Sequence, residues 1–406
     1  MHNLCTDFGF VSLNKHGEQL CGDHVEFWDS CGSLGKLHSL GSLNFPQKVV
    51  VLADGLGSGV KANILSTLTA KIICTMMANS LTVEECVSTI AATLPVCKER
   101  QIAYSTFTII RVTGNQEAEI IQYDNPQVIL LRDGKNFDYQ KISETIGNKT
   151  IYKTKLTLRE NDTFISMSDG AIHAGIGPKL NLNWEREQII AFMERIYDES
   201  LTAKTLSSLL INKCYSLYGG EPGDDTTVCT VKIRPRQPVN LLIGPPSIPN
   251  DLAKMMGLFF GREGKHIVCG GTTSALAAEY LHKPLISAAS KFRVADRDIP
   301  PTAKIEGVDL VTEGVITLRR AVEYARDYLK DNENYTGWIG GEDGASQIAR
   351  LLFEEATDIN FFVGKAVNPA HQADTLSIGF SLKIKLIEEL AACLQSMGKR
   401  LKILYF

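Results

Sequence analysis

The chain has 406 residues, of which 44% are hydrophobic and 22% are charged, and its formal net charge is −4 at pH 7. The length favours two or three domains, and the composition is ordinary for a globular protein. The charge balance implies no strongly basic face, so it argues against a nucleic-acid-binding protein.

The N-terminus and the cysteines predict a cytoplasmic protein. Residues 1–7 lack the cationic start and apolar core of a signal peptide. No apolar run approaches the ~20 residues needed to cross a bilayer, so no membrane partner is expected. The ten cysteines form no CxxC pair and no Cys/His spacing typical of a zinc site. Reduced, largely buried thiols are therefore expected.

The first half of the chain alternates strands with helices. Apolar patterns predict strands at 8–13, 23–28, 48–53, 106–112, 118–123, 127–132, 164–169 and 226–233. They predict helices at 61–78, from Thr82 onward with a Thr82–Glu85 capping box, at 184–197 and at 202–218. Asp124-Asn125-Pro126 predicts a hairpin, and the Gly/Ser-rich stretch 31–44 predicts a loop or insertion. Strands around paired helices predict a layered α+β domain over residues 1–235.

The second half predicts a smaller α/β domain over residues 239–406. Arg234-Pro235-Arg236-Gln237-Pro238 is typical of a linker. Beyond it, strand–turn–helix repetition is apparent. Strands are predicted at 239–243, 266–269 and 359–363, and helices from about 251 and at 275–281, 317–330, 344–356 and 384–397. The segment 338–344 is predicted to be an exposed turn.

Three acidic stretches stand at predicted strand ends: Asp54-Gly55-Leu56-Gly57, Ser168-Asp169-Gly170 and Gly223-Asp224-Asp225-Thr226. A lone Asp-Gly is usually a turn, and Asp-Asp before a strand is usually a solvated edge. A carboxylate held by a sheet yet reaching solvent, however, suits a hard divalent cation. Asp54, Asp169 and Asp224, with the Gly55 carbonyl, are therefore predicted to hold two Mg²⁺ or Mn²⁺ ions for phosphate-ester hydrolysis.

These motifs, together with Cys21-Gly22-Asp23 and Tyr104-Ser105-Thr106, resemble those of the metal-dependent type 2C serine/threonine protein phosphatases. The resemblance covers about residues 5–233 and is strongest to the stage II sporulation protein E branch. It implies a four-layer α-β-β-α sandwich with a binuclear manganese or magnesium site between two sheets. It also implies that Asp54 bridges both ions, that Gly55 ligates one, that Asp169 and Asp224 hold the other, and that Asp23 is an early acidic ligand.

The resemblance implies hydrolysis of phosphoserine or phosphothreonine by a metal-activated water, with Asp54, Asp169 and Asp224 as catalytic residues. Two departures matter. Many family members carry an early Arg that binds the phosphate, whereas Lys15 is the only Lys or Arg in residues 1–22. Leu56 stands where many relatives have a His, so the acid that protonates the leaving group is unassigned.

The C-terminal half contains a second candidate site. Gly270, Gly271, Thr272 and Thr273 lie between a predicted strand and helix, where bare N–H groups and hydroxyls suit an anion. A tight turn that requires glycines explains the same residues equally well. The stretch lacks the Lys of a Walker loop and the GxGxxG spacing of a dinucleotide site.

The sequence thus favours a protein phosphatase acting on a phosphorylated protein, for which the branch suggests an anti-sigma-factor antagonist. Two alternatives stay open: a ligand-sensing regulatory protein with a weakly active or inactive phosphatase fold, and a small-molecule phosphatase or nucleotide-binding enzyme centred on the C-terminal domain.

Overall fold

A computed structural model describes most of the chain. The described residues are 4–30, 46–93, 105–146, 149–174, 176–177, 180–181, 184–287, 302–330, 332, 335–366 and 376–406. The chain divides into two compact units, Met1–Pro235 and Arg236–Phe406.

The first unit alternates strands with helices. Its strands are β1 (Leu4–Leu13), β2 (Asp23–Asp29), β3 (Gln47–Gly55), β4 (Ser105–Thr113), β5 (Glu117–Tyr123), β6 (Ile129–Arg132), β7 (Lys135–Asn136), β8 (Ile142–Ile146), β9 (Lys149–Thr157), β10 (Thr163–Met167), β11 (Ile176–Gly177), β12 (Leu180–Asn181) and β13 (Thr226–Pro235). Its helices are α1 (Gly59–Ala78), α2 (Val83–Thr93), α3 (Asp169–His173), α4 (Arg186–Ile196) and α5 (Ala203–Leu217).

Two antiparallel sheets form the centre of this unit. The first has the strand order β1-β13-β10-β6-β7, and the second has the order β2-β3-β4-β5-β9-β8. Successive side chains of a strand point to opposite faces of the sheet, and strand β3 is buried on both of them. Val49, Val51 and Ala53 pack against α1 and α2, whereas Val50 and Leu52 pack against the first sheet.

The first sheet is also covered on both faces. Ile165 and Met167 of β10 pack against α4 and α5, and Phe164, which precedes them, faces the second sheet. The order of layers is therefore α1/α2, second sheet, first sheet, α3/α4/α5, and the predicted α-β-β-α sandwich is confirmed.

The sequence predicts several local features of this unit correctly and one wrongly. The capping box forms, with Thr82 N–H donating to Glu85 Oε2 at 2.7 Å and Glu85 N–H donating to Thr82 Oγ1 at 3.2 Å. The hairpin expected at Asp124-Asn125-Pro126 is wrong, because β5 lies in the second sheet and β6 in the first. Local turn signals do not reveal that the chain crosses between layers there. The stretch 31–44 lies outside the described residues.

The second unit is built on a mainly parallel sheet. Its strands are β14 (Pro238–Ile243), β15 (Lys265–Cys269), β16 (Ile286–Ser287), β17 (Ala303–Lys304), β18 (Leu310–Thr312), β19 (Asp358–Val363) and β20 (Arg400–Tyr405). Its helices are α6 (Leu252–Phe260), preceded by a 3₁₀ turn (Pro249–Asp251), α7 (Gly271–Leu281), α8 (Val315–Lys330), α9 (Tyr335–Ile339), α10 (Gly344–Ala349), a π-helical segment (Arg350–Glu355) and α11 (Leu376–Ser396).

The parallel strands lie in the order β18-β15-β14-β19-β20, and both faces of the sheet are covered. Phe362 packs with α6 and α7 on one face, and Phe361 packs with α8, α10 and α11 on the other. The chain thus moves outward from β14 in one direction and then restarts at β19 on the opposite side. This is a doubly wound α/β arrangement.

Two details of this unit differ from the sequence expectation. The segment 338–344 is not an exposed turn at its start, because Trp338 is fully buried on α9. Its indole packs against Tyr335 and Phe353. Helix α7 begins at Gly271 rather than at 275, so Gly271, Thr272 and Thr273 form its first turn. No helix in the described ranges combines the length and apolar character that a membrane span requires.

Candidate metal centre

Asp23 and Asp54 occupy directly opposite positions on neighbouring strands. Antiparallel pairing of β2 with β3 makes Asp23 the partner of Asp54. Opposite residues in such a pair have Cβ atoms roughly 4.5–5.5 Å apart, so the two carboxylates are neighbours. Asp23 is buried and Asp54 is half-buried. Two acidic side chains with 30 residues between them thus lie side by side at the end of one sheet.

The Ser168 hydroxyl connects the other sheet to this pair. Ser168 Oγ donates to Asp23 Oδ2 at 2.7 Å and accepts from the Thr227 N–H at 2.8 Å. The next residue, Asp169, is the first residue of α3 and reaches solvent. The carboxyl end of β10 and the start of β13 therefore meet the Asp23–Asp54 pair where the two sheets face each other.

Asp224 and Asp225 precede β13 and differ in exposure. The Asp224 side chain is half-exposed, and its Oδ1 accepts the Asp225 N–H at 3.0 Å. Asp225 is only 4% exposed, so it is not the solvated edge that an Asp-Asp pair usually forms. Its Oδ1 accepts the Lys15 N–H at 3.0 Å, and the Lys15 ammonium lies 3.9 Å from Asp224 Oδ1.

Burial and mutual repulsion raise the pKa values of these carboxyl groups. Loss of water raises the pKa of Asp54, and the Asp23, Asp169 and Asp224 carboxylates add to the shift. Burial likewise raises the pKa of Asp23, and hydrogen bonds from Ser168 and Thr227 partly offset the shift. Loss of water and then the Asp224 carboxylate raise the pKa of Asp169, which His173 opposes. These four carboxylates, with Asp225 also raising the pKa of Asp23, therefore form one electrostatic cluster.

Glycines allow the backbone segments around the cluster to touch. A Cβ added at Gly55 would lie 2.2 Å from the Ala62 carbonyl oxygen, and one at Gly170 would lie 2.2 Å from the Asp225 carbonyl oxygen. Gly57 and Gly59 have φ values of +99° and +70°, in the left-handed region that L side chains rarely adopt. Asp54 and Asp169 are thus followed by glycine for a steric reason.

The residues of this cluster fit a hard divalent cation. Asp23 Oδ1 is buried without a hydrogen-bond partner among the described residues, although a carboxylate oxygen removed from water requires one. The available donors are carboxylate and carbonyl oxygens, which Mg²⁺ and Mn²⁺ prefer. Among the residues with defined positions, no three His, Cys, Asp or Glu side chains are close enough to form a ready coordination shell. The cluster is thus looser than a closed metal site.

A comparison with protein families finds a match for the segment that carries Asp54, Asp169 and Asp224. The model of the stage II sporulation protein E family matches residues 47–234. This segment is therefore similar to the domain of that family. The match begins at the first residue of β3 and leaves out β1, the loop 14–22 and β2, so Lys15 and Asp23 lie outside it.

Solved structures similar to the chain include phosphatase domains. A phosphatase domain with a fragment of the regulatory domain of SpoIIE from Bacillus subtilis is 18% identical, with a TM-score of 0.47, 58% of this chain covered and 65% of that chain. The RsbU and RsbW domains of Rv1364c from Mycobacterium tuberculosis are 15% identical, with a TM-score of 0.46 and coverage of 62% and 68%. The catalytic domain of the serine/threonine phosphatase PstP with two manganese ions is 16% identical, with a TM-score of 0.37 and coverage of 57% and 99%.

The chain therefore spans less than two thirds of the first of these structures. A search of curated proteins found no match.

Two residues of the matched segment contribute to the cluster beyond those that the sequence singled out. Ser168 was visible only as the neighbour of Asp169, and its bond to Asp23 depends on the meeting of two sheets. Asp225 was visible only as the second member of an Asp-Asp pair. Its burial requires the loop between β1 and β2 to lie over it, which no local pattern encodes.

The second predicted site lies in the other unit. Gly270 follows β15 with φ +106°, and Gly271, Thr272 and Thr273 begin α7 at the carboxyl edge of the parallel sheet. Thr273 Oγ1 accepts the Gly244 N–H at 2.9 Å, so that hydroxyl already has a structural partner at the end of β14.

Proposed function

We propose that the first unit is a metal-dependent phosphatase that hydrolyses phosphoserine or phosphothreonine in a partner protein. The observation that carries the proposal is the pairing of Asp23 with Asp54 beside Asp169 and Asp224, with a buried carboxylate oxygen lacking a protein partner. A bound cation would neutralise this concentration of negative charge. Similarity to the family domain supports the reaction class.

Each acidic residue has a proposed part in holding two Mn²⁺ or Mg²⁺ ions. Asp54 lies centrally in the cluster and would contact both, with the Gly55 carbonyl as a further ligand, whereas Asp169 and Asp224 would hold the more exposed ion. Asp23 would be fixed by Ser168 as the most buried ligand. When bound, the ions supply charge neutralisation on the phosphoryl oxygens and an activated water.

The exposed side, formed by Asp169 and Asp224, is the side on which a phosphorylated protein can approach, and the Lys15 ammonium lies there. An anti-sigma-factor antagonist is the partner suggested by the resemblance to the sporulation branch.

The test compares hydrolysis of p-nitrophenyl phosphate and of a phosphoserine protein with and without Mn²⁺. Asp54→Asn and Asp224→Asn are expected to lose at least about 100-fold in turnover, because each removes a ligand charge. Asp138→Asn, at an exposed position on the same unit, is the matched control. Metal-independent turnover, or full activity in both site variants, would contradict the proposal.

The alternative hypothesis is a ligand-sensing regulatory protein with a weakly active or inactive phosphatase fold. The doubly wound second unit supports a ligand-binding role in general terms, since such sheets bind ligands outside the carboxyl ends of their strands. Binding of an anion by Gly270, Gly271, Thr272 and Thr273 stays a prediction. An inert wild-type protein that binds a metabolite would favour this alternative.

A further inference from the structure

The loop 14–22 connects the two sheets beside the acidic cluster. It leaves β1 in the first sheet and enters β2 in the second, so its path decides where Asp23 begins the second sheet. Lys15 lies near its start and Gly22 at its end. A loop of this kind has no ladder hydrogen bonds of its own, and its conformation depends on the groups beneath it.

Asp225 is the group beneath this loop, and it contacts both ends. At the start of the loop, Asp225 Oδ1 accepts the Lys15 N–H at 3.0 Å. At the end of the loop, Asp225 Oδ2 lies 2.7 Å from the position that a Cβ on Gly22 would occupy. The carboxylate therefore fills the space that a side chain at residue 22 would need. One buried side chain spans the loop from residue 15 to residue 22.

Further contacts tie the same loop to the site. The Gly22 carbonyl accepts the Gly55 N–H at 3.2 Å, and the Cys21 carbonyl accepts from Asn63 Nδ2 at 2.8 Å. The His16 N–H donates to the Pro222 carbonyl at 2.8 Å. These contacts fix the backbone of the loop, and the anchored Lys15 N–H sets the point from which the Lys15 side chain extends. Its Nζ lies 3.9 Å from Asp224 Oδ1, at the exposed side of the cluster.

We propose that Asp225 is a positioning residue that anchors the loop 14–22 and thereby holds the Lys15 ammonium where it contacts the phosphate of the substrate. The inference rests on the proposed phosphatase function. A phosphate monoester carries about −2 charge, and a cluster of carboxylates repels it unless cations lie on its path. Lys15 supplies a positive charge at the exposed side, and a charge-assisted hydrogen bond to phosphate is among the stronger ones available.

The proposal separates two roles within the Asp224-Asp225 pair. Asp224 would serve the metal ions, whereas Asp225 would act through the Lys15 backbone N–H, with its second oxygen, Oδ2, buried against Gly22. Loss of Asp225 should therefore weaken phosphate binding without changing the metal requirement. Loss of the Lys15 ammonium alone should have the same effect on phosphate binding, since Lys15→Met keeps the anchored backbone N–H.

The kinetic experiment uses the full chain with saturating Mn²⁺ and p-nitrophenyl phosphate. Asp225→Ala is expected to raise KM, and the inhibition constant of inorganic phosphate, about tenfold, with kcat changed less than about threefold. Asp225→Asn retains an acceptor for the Lys15 N–H and should recover most of the loss. In a Lys15→Met background, Asp225→Ala should add little, because both changes remove the same contact.

The matched control is Asp162→Ala. Asp162 is also buried, and it also accepts a backbone N–H, from Arg159 at 2.9 Å. It precedes the first residue of β10, however, whereas the acidic cluster lies at the carboxyl end of that strand. This variant should lower stability and leave KM unchanged. The role of Asp225 is overturned if Asp162→Ala raises KM as much, or if Asp225→Ala raises KM equally in the Lys15→Met background. A tenfold higher Mn²⁺ requirement with KM unchanged would also overturn it, because that result belongs to a metal ligand.

A second measurement does not depend on activity. Trypsin cleavage after Lys15 under native conditions should be faster in Asp225→Ala than in the wild type or in Asp162→Ala, because the anchor of the loop is lost. Equal cleavage in all three proteins would overturn the anchoring role. If the wild type proves inert with Mn²⁺, the proposed function fails, while the cleavage comparison still decides whether Asp225 holds the loop.

Discussion

Ser168 Oγ donates a 2.7 Å hydrogen bond to Asp23 Oδ2, and this bond joins the two sheets of the first unit at the acidic cluster. The same hydroxyl accepts the Thr227 N–H, so its direction is fixed. A hydroxyl held in this way orients one carboxylate oxygen and leaves the other, Asp23 Oδ1, available to a cation. Residues that orient metal ligands commonly matter almost as much as the ligands.

Ser168→Ala is therefore expected to weaken Mn²⁺ binding about 10- to 100-fold, because the Asp23 carboxylate loses the bond that orients it. Isothermal titration with Mn²⁺ measures the change. Ser166→Ala is the matched control, since Ser166 lies two residues earlier, on β10, and its hydroxyl donates to the Cys229 carbonyl at 3.0 Å, away from the acidic cluster. Unchanged Mn²⁺ affinity in Ser168→Ala would show that this hydroxyl does not orient a ligand.

The stabilisation of the protein by Mn²⁺ should increase with pH. Burial raises the pKa values of Asp23 and Asp54 in the folded state, so the folded protein binds more protons than the unfolded chain above the ordinary carboxyl pKa of about 4. Without metal, stability contributed by these groups is thus present in acid and is lost as pH rises toward and beyond neutrality. A bound cation favours the ionised carboxylates and reverses that loss.

Thermal unfolding with Mn²⁺ or with a chelator, at pH 5.5 and pH 8, measures this linkage. The increase in Tm caused by Mn²⁺ should be clearly larger at pH 8. Asp54→Asn should reduce the difference between the two pH values, because it removes one of the shifted groups. A Tm increase that is the same at both pH values would count against metal binding by these carboxylates.

Gly55→Ala should destabilise the first unit by about 3 kcal/mol, at the upper end for overpacking. The added methyl would lie 2.2 Å from the Ala62 carbonyl oxygen, and backbone of α1 has to move to make room. Gly337→Ala is the control, because a Cβ there meets no atom within 4 Å. Urea unfolding measures both, and a neutral Gly55→Ala would contradict the close approach of α1 to the end of β3.

Trp338→Ala should cost about 3–5 kcal/mol of unfolding free energy, because a fully buried indole leaves a large cavity. Its ring lies among Tyr324, Tyr328, Tyr335 and Phe353. Ile316→Ala, at a position 57% exposed on α8, should cost under about 0.5 kcal/mol. Denaturant unfolding compares the two variants, and equal small effects would indicate that residue 338 is exposed, as its turn-like sequence suggests.

The sequence of the first unit was sufficient for most of its elements. Strongly apolar runs such as Val49 to Ala53 and periodic helices such as α2 follow local rules, and both were predicted. The edge strand β8 and its neighbour β9 were missed, because their polar residues carry no clear apolar alternation. In the second unit, β20 was also missed.

By itself, the sequence determined the chemical character of the first unit: acidic residues at strand ends, with adjoining glycines, in an order that resembles one phosphatase family. Only the tertiary structure decided that Asp23 stands opposite Asp54, that Ser168 fixes Asp23, and that Asp225 lies beneath the loop of Lys15. These contacts join residues from 31 to 210 positions apart. Strand and turn patterns report local preferences of the backbone, whereas which strand ends meet depends on how two sheets and their helices bury their apolar faces together.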